Sequence, residues 1–212
     1  MKRAAHIVVV GKENVGKTAV VVRYLTGRYL SEYAHAPEMT YERIVPVDGR
    51  QVPLKITDIS GKSLETKASN KDFLSKVDGI VVVYAINDTP SYHVAEGVCN
   101  WVRRDRKSPV HTPILLLGNK ADLSHCRCVP SPDTDETQWT NSSCLATEVS
   151  ASTQPDHINY VFTSLINKIL ERREATLKPR KMSQNPLGSP KVIRATIKRR
   201  FSVFTRERTS TM

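Results

Sequence analysis

A chain of 212 residues, 39% hydrophobic and 25% charged, is long enough for one domain with a full core, and its mixed composition excludes a wholly disordered or collagen-like protein. The formal net charge of +11 is concentrated at one end: from Arg172 onward there are 12 Lys/Arg and 2 Asp/Glu, a net of +10, which leaves residues 1–171 near +1 and gives no reason to expect a specific nucleic-acid partner for that part. Cys99, Cys126, Cys128 and Cys144 form no paired framework, which excludes a disulfide scaffold and favours a reducing compartment.

In chain order, the first element is the β-branched run Ile7, Val8, Val9 and Val10, a strand buried on both faces. It is too short for a signal-peptide core, and no run approaches the roughly 18 apolar residues of a membrane span. A helix is predicted over 17–26. Residues 40–57 read as a hairpin turning at Asp48-Gly49, hence one antiparallel edge strand. Strands follow at 80–84, 114–117 and 145–149, with a helix over 94–103 between the first two. In the last helix, 158–173, Ile158, Val161, Phe162, Leu165, Ile166, Ile169 and Leu170 recur on one face. Strand and helix alternate, so the sequence predicts a doubly wound α/β domain with a mostly parallel six-stranded sheet and helices on both faces. The apolar period stops after residue 173, where Pro179, Pro186, Pro190 and scattered Lys/Arg take over. The domain is therefore placed at 1–173 and a basic tail at 174–212.

Gly11, Lys12, Glu13, Asn14, Val15, Gly16, Lys17 and Thr18 fit G-x-x-x-x-G-K-[ST] between the first strand and the first helix. The glycines permit backbone angles that aim successive N–H groups at phosphate oxygens, and the helix N-terminus adds partial positive charge. Lys17 supplies an ammonium to the outer phosphates, and the Thr18 hydroxyl is a candidate Mg²⁺ ligand. After the 114–117 strand comes Asn119-Lys120-Ala121-Asp122. The Asp122 carboxylate only accepts hydrogen bonds, so it suits the N1–H and exocyclic amine of guanine and not adenine, whose N1 is an acceptor. Asn119 can bond either the loop or the base edge, and the Lys120 stem can lie along the base plane.

With these motifs the chain resembles the Ras-like small GTPases over about residues 6–171, most of all the divergent branch related to estrogen-regulated growth inhibitors. Asp58-Ile59-Ser60-Gly61 matches the magnesium-side Asp-x-x-Gly of that family, and Ser150-Ala151-Ser152 its Ser-Ala-Lys. The resemblance implies a P-loop NTPase G domain that binds GTP/GDP with Mg²⁺, the metal held by Thr18 and Asp58. It adds Ala19, Tyr29, Gly61, Ser150, Ala151 and Ser152 to the nucleotide-binding set, and it implies effector or regulator proteins bound through residues 29–43 and 58–75. By the same register Ala36 replaces the switch threonine, and Lys62 stands at the position of the catalytic glutamine. An ammonium only donates and cannot orient an attacking water as an amide does. Glu13 and Asn14 replace loop glycines and crowd the path of an arginine finger. The expected activity is thus a signalling switch that binds GTP and hydrolyses it slowly, with Lys17 the functional catalytic lysine. The alternative is a non-catalytic scaffold that presents a fixed surface.

Residues 191–206 place Ile193, Ile197, Phe201 and Phe204 on one helical stripe among Lys/Arg. That stripe would meet an anionic membrane or a calmodulin-like groove; a solvated disordered tail accounts for the composition equally well. The sequence ends Thr209-Ser210-Thr211-Met212 with no cysteine after Cys144, so no prenyl anchor is expected. The expected location is cytoplasmic, peripheral at the inner membrane face or partly nuclear through the tail. His125, Cys126 and Cys128 lack a second ligand pair at zinc spacing and read as surface-loop residues.

Overall fold

The computed structural model describes residues 3–30, 38–61, 76–104, 112–131 and 143–177. Ala36, Lys62 and the tail beyond residue 177 lie outside them. Six strands occur among these residues, β1 (Ala5–Val10), β2 (Glu38–Val47), β3 (Arg50–Ile59), β4 (Gly79–Ala85), β5 (Ile114–Asn119) and β6 (Cys144–Glu148). Three α-helices accompany them, α1 (Lys17–Thr26), α2 (Thr89–Arg104) and α3 (Pro155–Leu177), with a 3₁₀ helix at Ala121–Cys126. The strands form one sheet in the order β2-β3-β1-β4-β5-β6.

All neighbouring strands run parallel except β2 and β3, which pair antiparallel from Glu38↔Ile59 to Val47↔Arg50. Asp48 and Gly49 hold φ of 45° and 73°, the left-handed pair that a two-residue hairpin turn matched to strand twist requires. The predicted antiparallel edge strand is therefore β2.

Alternation along the buried strands explains their unbroken apolar runs. Ile7 and Val9 face one side of the sheet, where they meet Val20 and Val21 of α1 and Val161, Phe162, Leu165 and Ile169 of α3. Val8 and Val10 face the other, with Ala95, Val98, Cys99 and Val102 of α2. Each of the Val, Ile, Leu and Phe side chains removed from water contributes roughly 1.5–3 kcal/mol. Tyr24 of α1 stacks on Phe162 of α3 at 4.3 Å between centroids, which closes that layer.

The helix predicted over 94–103 begins earlier, at Thr89. Asp88 supplies its cap: the carboxylate accepts from the Ser91 N–H at 3.3 Å, and the Asp88 carbonyl accepts from the Ser91 hydroxyl at 2.6 Å. The helix predicted over 158–173 extends to both sides, and its C-terminal end passes the compositional boundary by four residues to Leu177. Val149, the last residue of the predicted 145–149 strand, falls just beyond β6 and donates its N–H to the Gly118 carbonyl. Every strand belongs to the unit Met1–Ala175; of the second unit, Thr176–Met212, only Thr176 and Leu177 are described. None of the described helices is long and apolar enough to cross a membrane.

Candidate functional site

The sequence motifs converge at the carboxyl ends of the parallel strands. Gly11 leaves β1, Asp58 lies near the end of β3, Asn119 ends β5 and Ser150 follows β6. Ligands of open α/β sheets bind at this edge.

The loop from Gly11 to Gly16 is shaped by close approach. Gly11 has φ 147°, and a Cβ on it would overlap the Val83 carbonyl of β4. Gly16 has φ 89°, and a Cβ there would overlap the Asn119 amide. Asn14 also sits at positive φ, 62°, a region that asparagine tolerates better than most residues. Gly16 caps α1 without any side-chain hydrogen bond, so no side chain of the cap occupies the first N–H groups of that helix. This is a cradle for an anion built from backbone donors. Lys12 turns outward and pairs with Asp88, 3.1 and 3.3 Å from the two carboxylate oxygens, so the loop is tied to the turn that precedes α2.

Lys17, Thr18 and Asp58 meet beneath the cradle. Lys17 is buried and donates to the Lys12 carbonyl at 2.8 Å. Burial lowers its pKa from 10.5, while Asp58 and Glu13 draw it back upward. The Thr18 hydroxyl donates to Asp58 Oδ2 at 2.5 Å. Burial raises the Asp58 pKa, against the opposing pull of the Thr18 hydrogen bond and Lys17. Asp58 Oδ1 is buried with no hydrogen-bond partner among the described residues. A buried carboxylate oxygen with unused acceptor capacity, beside a hydroxyl, is the donor set a hard divalent cation takes. The residues fit Mg²⁺. Gly61 packs on the loop, and a Cβ there would lie 3.4 Å from the Gly11 carbonyl oxygen and 3.7 Å from Glu13 Cγ.

On the base side Asn119 acts as a tie. Its Nδ2 donates to the Val15 carbonyl at 2.9 Å, and its Oδ1 accepts from the Ala151 N–H at 3.1 Å. Of the two roles open to it from sequence, the structure shows the loop one. Lys120 holds the left-handed conformation with φ 68°, a backbone state that non-glycine residues keep mainly where surroundings enforce it. Asp122 is exposed, and its Oδ1 accepts from the Ser150 hydroxyl at 2.5 Å. The Ser152 and Ser150 hydroxyls are 2.8 Å apart. Tyr29 is 46% exposed, as a side chain free to cover a ligand would be.

Three contacts around these motifs were not legible in the sequence. Arg127 makes a two-pronged ion pair with Glu148, at 2.7 and 2.6 Å, which joins the segment after Asp122 to β6 just ahead of Ser150. Arg23 of α1 donates to the Ser152 carbonyl at 2.6 Å. Lys12 and Asp88 are 76 positions apart. Only Lys12 carried a hint, as an extra cation inside the phosphate loop. Cys126 and Cys128 are exposed free thiols, and no group of three His/Cys/Asp/Glu able to hold a metal occurs among the described residues.

Residues 6–171 match the Ras family. The chain is 34% identical to the bovine (Bos taurus) Ras-related and estrogen-regulated growth inhibitor-like protein over 77% of its own length and 82% of that protein. It is 33% identical to the human (Homo sapiens) Ras-related and estrogen-regulated growth inhibitor over 84% of its length and 87% of the relative. To Ras-like protein family member 11B of Danio rerio it is 32% identical over 86% and 82%. With the phosphate loop, Asp58 and the Asn119 to Asp122 motif at one sheet edge, and with this match over most of its length, the chain belongs to the Ras family of GTP-binding proteins.

Proposed function

We propose that this protein is a guanine-nucleotide-dependent signalling switch that binds GTP and GDP with Mg²⁺ and hydrolyses GTP slowly. The observation that carries the binding half is Asn119. One buried amide bonds the phosphate loop at Val15 and the base-side loop at Ala151, so the two ends of a nucleotide site are held at a fixed separation. Gly11 to Thr18 receive the phosphates, Asp122 reads the guanine edge, and Lys17 offers its ammonium to the β- and γ-phosphates. When bound, Mg²⁺ neutralises charge on the phosphates, and Thr18 and Asp58 are the residues that would hold it.

The slow-hydrolysis half rests on sequence register, with Lys62 in place of a water-orienting glutamine and Ala36 in place of the switch threonine. Water orientation and arginine-finger assistance together are worth about 10³ to 10⁵ in rate. Single-turnover GTP hydrolysis is the test. The wild type is expected to be slow, and Lys62→Gln to be faster by about tenfold or more. A wild-type rate equal to that of a GAP-stimulated enzyme, or no gain in Lys62→Gln, contradicts the assignment.

The second reading, a non-catalytic scaffold, is favoured by the same two substitutions. The nucleotide released on denaturing the purified protein separates the two, because GDP or GTP belongs to a switch and none to a scaffold.

A further inference from the structure

Ser150 and Ser152, on the loop after β6, are tied by their hydroxyls to the Asp122 carboxylate. Ser150 has one hydroxyl proton, and it is committed to Asp122 at 2.5 Å. The Ser150 oxygen therefore accepts, from the Thr153 N–H at 3.2 Å and from the Ser152 hydroxyl at 2.8 Å. The result is a directed chain, Ser152 to Ser150 to Asp122, in which each donor polarises the next. One end is the carboxylate that meets the base. The other end is fixed by Arg23, whose Nη2 donates to the Ser152 carbonyl at 2.6 Å while its Nη1 donates to the Gly27 carbonyl at 3.0 Å.

Gly27 is the C-cap of α1, and Gly16, in the phosphate loop, is its N-cap. The guanidinium thus binds the base-side loop to the far end of the helix whose near end forms the phosphate cradle. A fork of fixed geometry suits two carbonyls at once in a way an ammonium on a flexible stem does not. Arg23 Nε is buried without a hydrogen-bond partner among the described residues, so the two carbonyl bonds are made in spite of a desolvation penalty.

We propose that Arg23 is a positioning residue for base specificity: through the Ser152 carbonyl and the Ser152–Ser150 hydroxyl pair it aims the Asp122 carboxylate at the guanine edge. This rests on the reading of the site as guanine-specific. The carboxylate has two partners on guanine, N1–H and the exocyclic amine, but only N1–H on hypoxanthine. The ratio of GDP to IDP affinity therefore measures how well both Asp122 oxygens are aimed. A general loosening of the fold weakens both nucleotides together.

The experiment measures Kd for GDP and IDP, each with Mg²⁺, on the full chain and on Arg23→Gln, Arg23→Lys and Ser152→Ala. Loss of the charge-assisted hydrogen bond to the Ser152 carbonyl predicts GDP binding about three- to tenfold weaker in Arg23→Gln, with IDP changed less, so that discrimination falls about threefold. Arg23→Lys is expected to recover part of the discrimination, and Ser152→Ala to lose it while keeping the carbonyl bond. Equal weakening of GDP and IDP overturns the proposal, as does an unchanged ratio in Ser152→Ala, which also decides the matter if Arg23→Gln does not fold. A wild type that binds neither nucleotide is a different failure, that of the guanine-binding assignment itself.

Discussion

At the residue scale, Asp58 and Lys17 show how the phosphate site is set against the stability of the fold. Burial raises the Asp58 pKa above its ordinary 3.8 even after the attraction of Lys17 is counted. A raised carboxyl pKa means that the folded state holds the proton more tightly than the unfolded state. The stabilising contribution is therefore full below about 3.8 and is lost as pH rises through the folded-state value. Asp58→Asn fixes the side chain in a neutral form. Chemical denaturation of nucleotide-free protein in EDTA should find wild type and variant alike near pH 4, with the variant the more stable of the two by pH 7. A variant less stable at pH 7 would show that the Lys17 attraction outweighs burial. The same substitution removes a charged oxygen from the proposed Mg²⁺ site, so a gain in stability at the expense of binding is the expected exchange.

Residues whose chemistry depends on close sequence neighbours were legible from the start. The phosphate loop and the Asn119 to Asp122 motif each lie within one short segment, and their residue types follow from backbone geometry and from donor–acceptor matching. Contacts made across the fold were not. Arg23 and Ser152 are 129 positions apart, and nothing in either local sequence points to the other. Asn119 was legible as a site residue, but the choice between base and loop needed the Val15 and Ala151 contacts.

At the scale of elements, burial on both faces made β1, β4 and β5 plain, because their side chains alternate between two apolar layers. Their ends were less clear. α3 starts at Pro155, three residues before its first buried residue, Ile158, because Pro155, Asp156 and His157 carry no apolar period while proline suits a first helical turn. The 3₁₀ helix at Ala121–Cys126 buries none of its residues and gives no periodic signal.

The C-terminal end of α3 is tied to the sheet by Arg173, which donates to the Arg3 and Ala4 carbonyls at 2.8 and 2.7 Å and to Asp78 Oδ2 at 2.8 Å. Asp78 also accepts from the His6 N–H at 2.9 Å, so one carboxylate serves both β1 and α3. Arg173→Ala leaves a partly buried carboxylate and two carbonyls short of a partner, and should cost about 2 kcal/mol. Urea denaturation should show a lower midpoint with an unchanged slope. An unchanged midpoint would mean that the remaining contacts of α3, chiefly Phe162, Leu165 and Ile169, hold its end without help.

At the scale of the whole molecule, the doubly wound architecture and the family followed from alternating strand and helix together with the motifs. The family match over residues 6–171 agrees with both. The switch elements are a different matter. Ala36 and Lys62 enter through register alone, because both lie outside the described residues, and the effector and regulator surfaces proposed at 29–43 and 58–75 are only partly covered. The basic tail also lies outside, and contact with membrane or a calmodulin-like protein stays a sequence expectation.

The central claim is that one sheet edge reads a guanine nucleotide, with phosphates on Gly11 to Thr18 and the base on Asp122. Its most direct test is calorimetric titration of the nucleotide-free protein with GDP and ADP in Mg²⁺, on wild type and on Asp122→Ala. The account predicts that wild type binds GDP at least about a hundredfold more tightly than ADP, since adenine presents an acceptor at N1 to a carboxylate that only accepts, and that Asp122→Ala loses this preference through GDP alone. Equal affinity for the two nucleotides, or a preference that survives in Asp122→Ala, would contradict it.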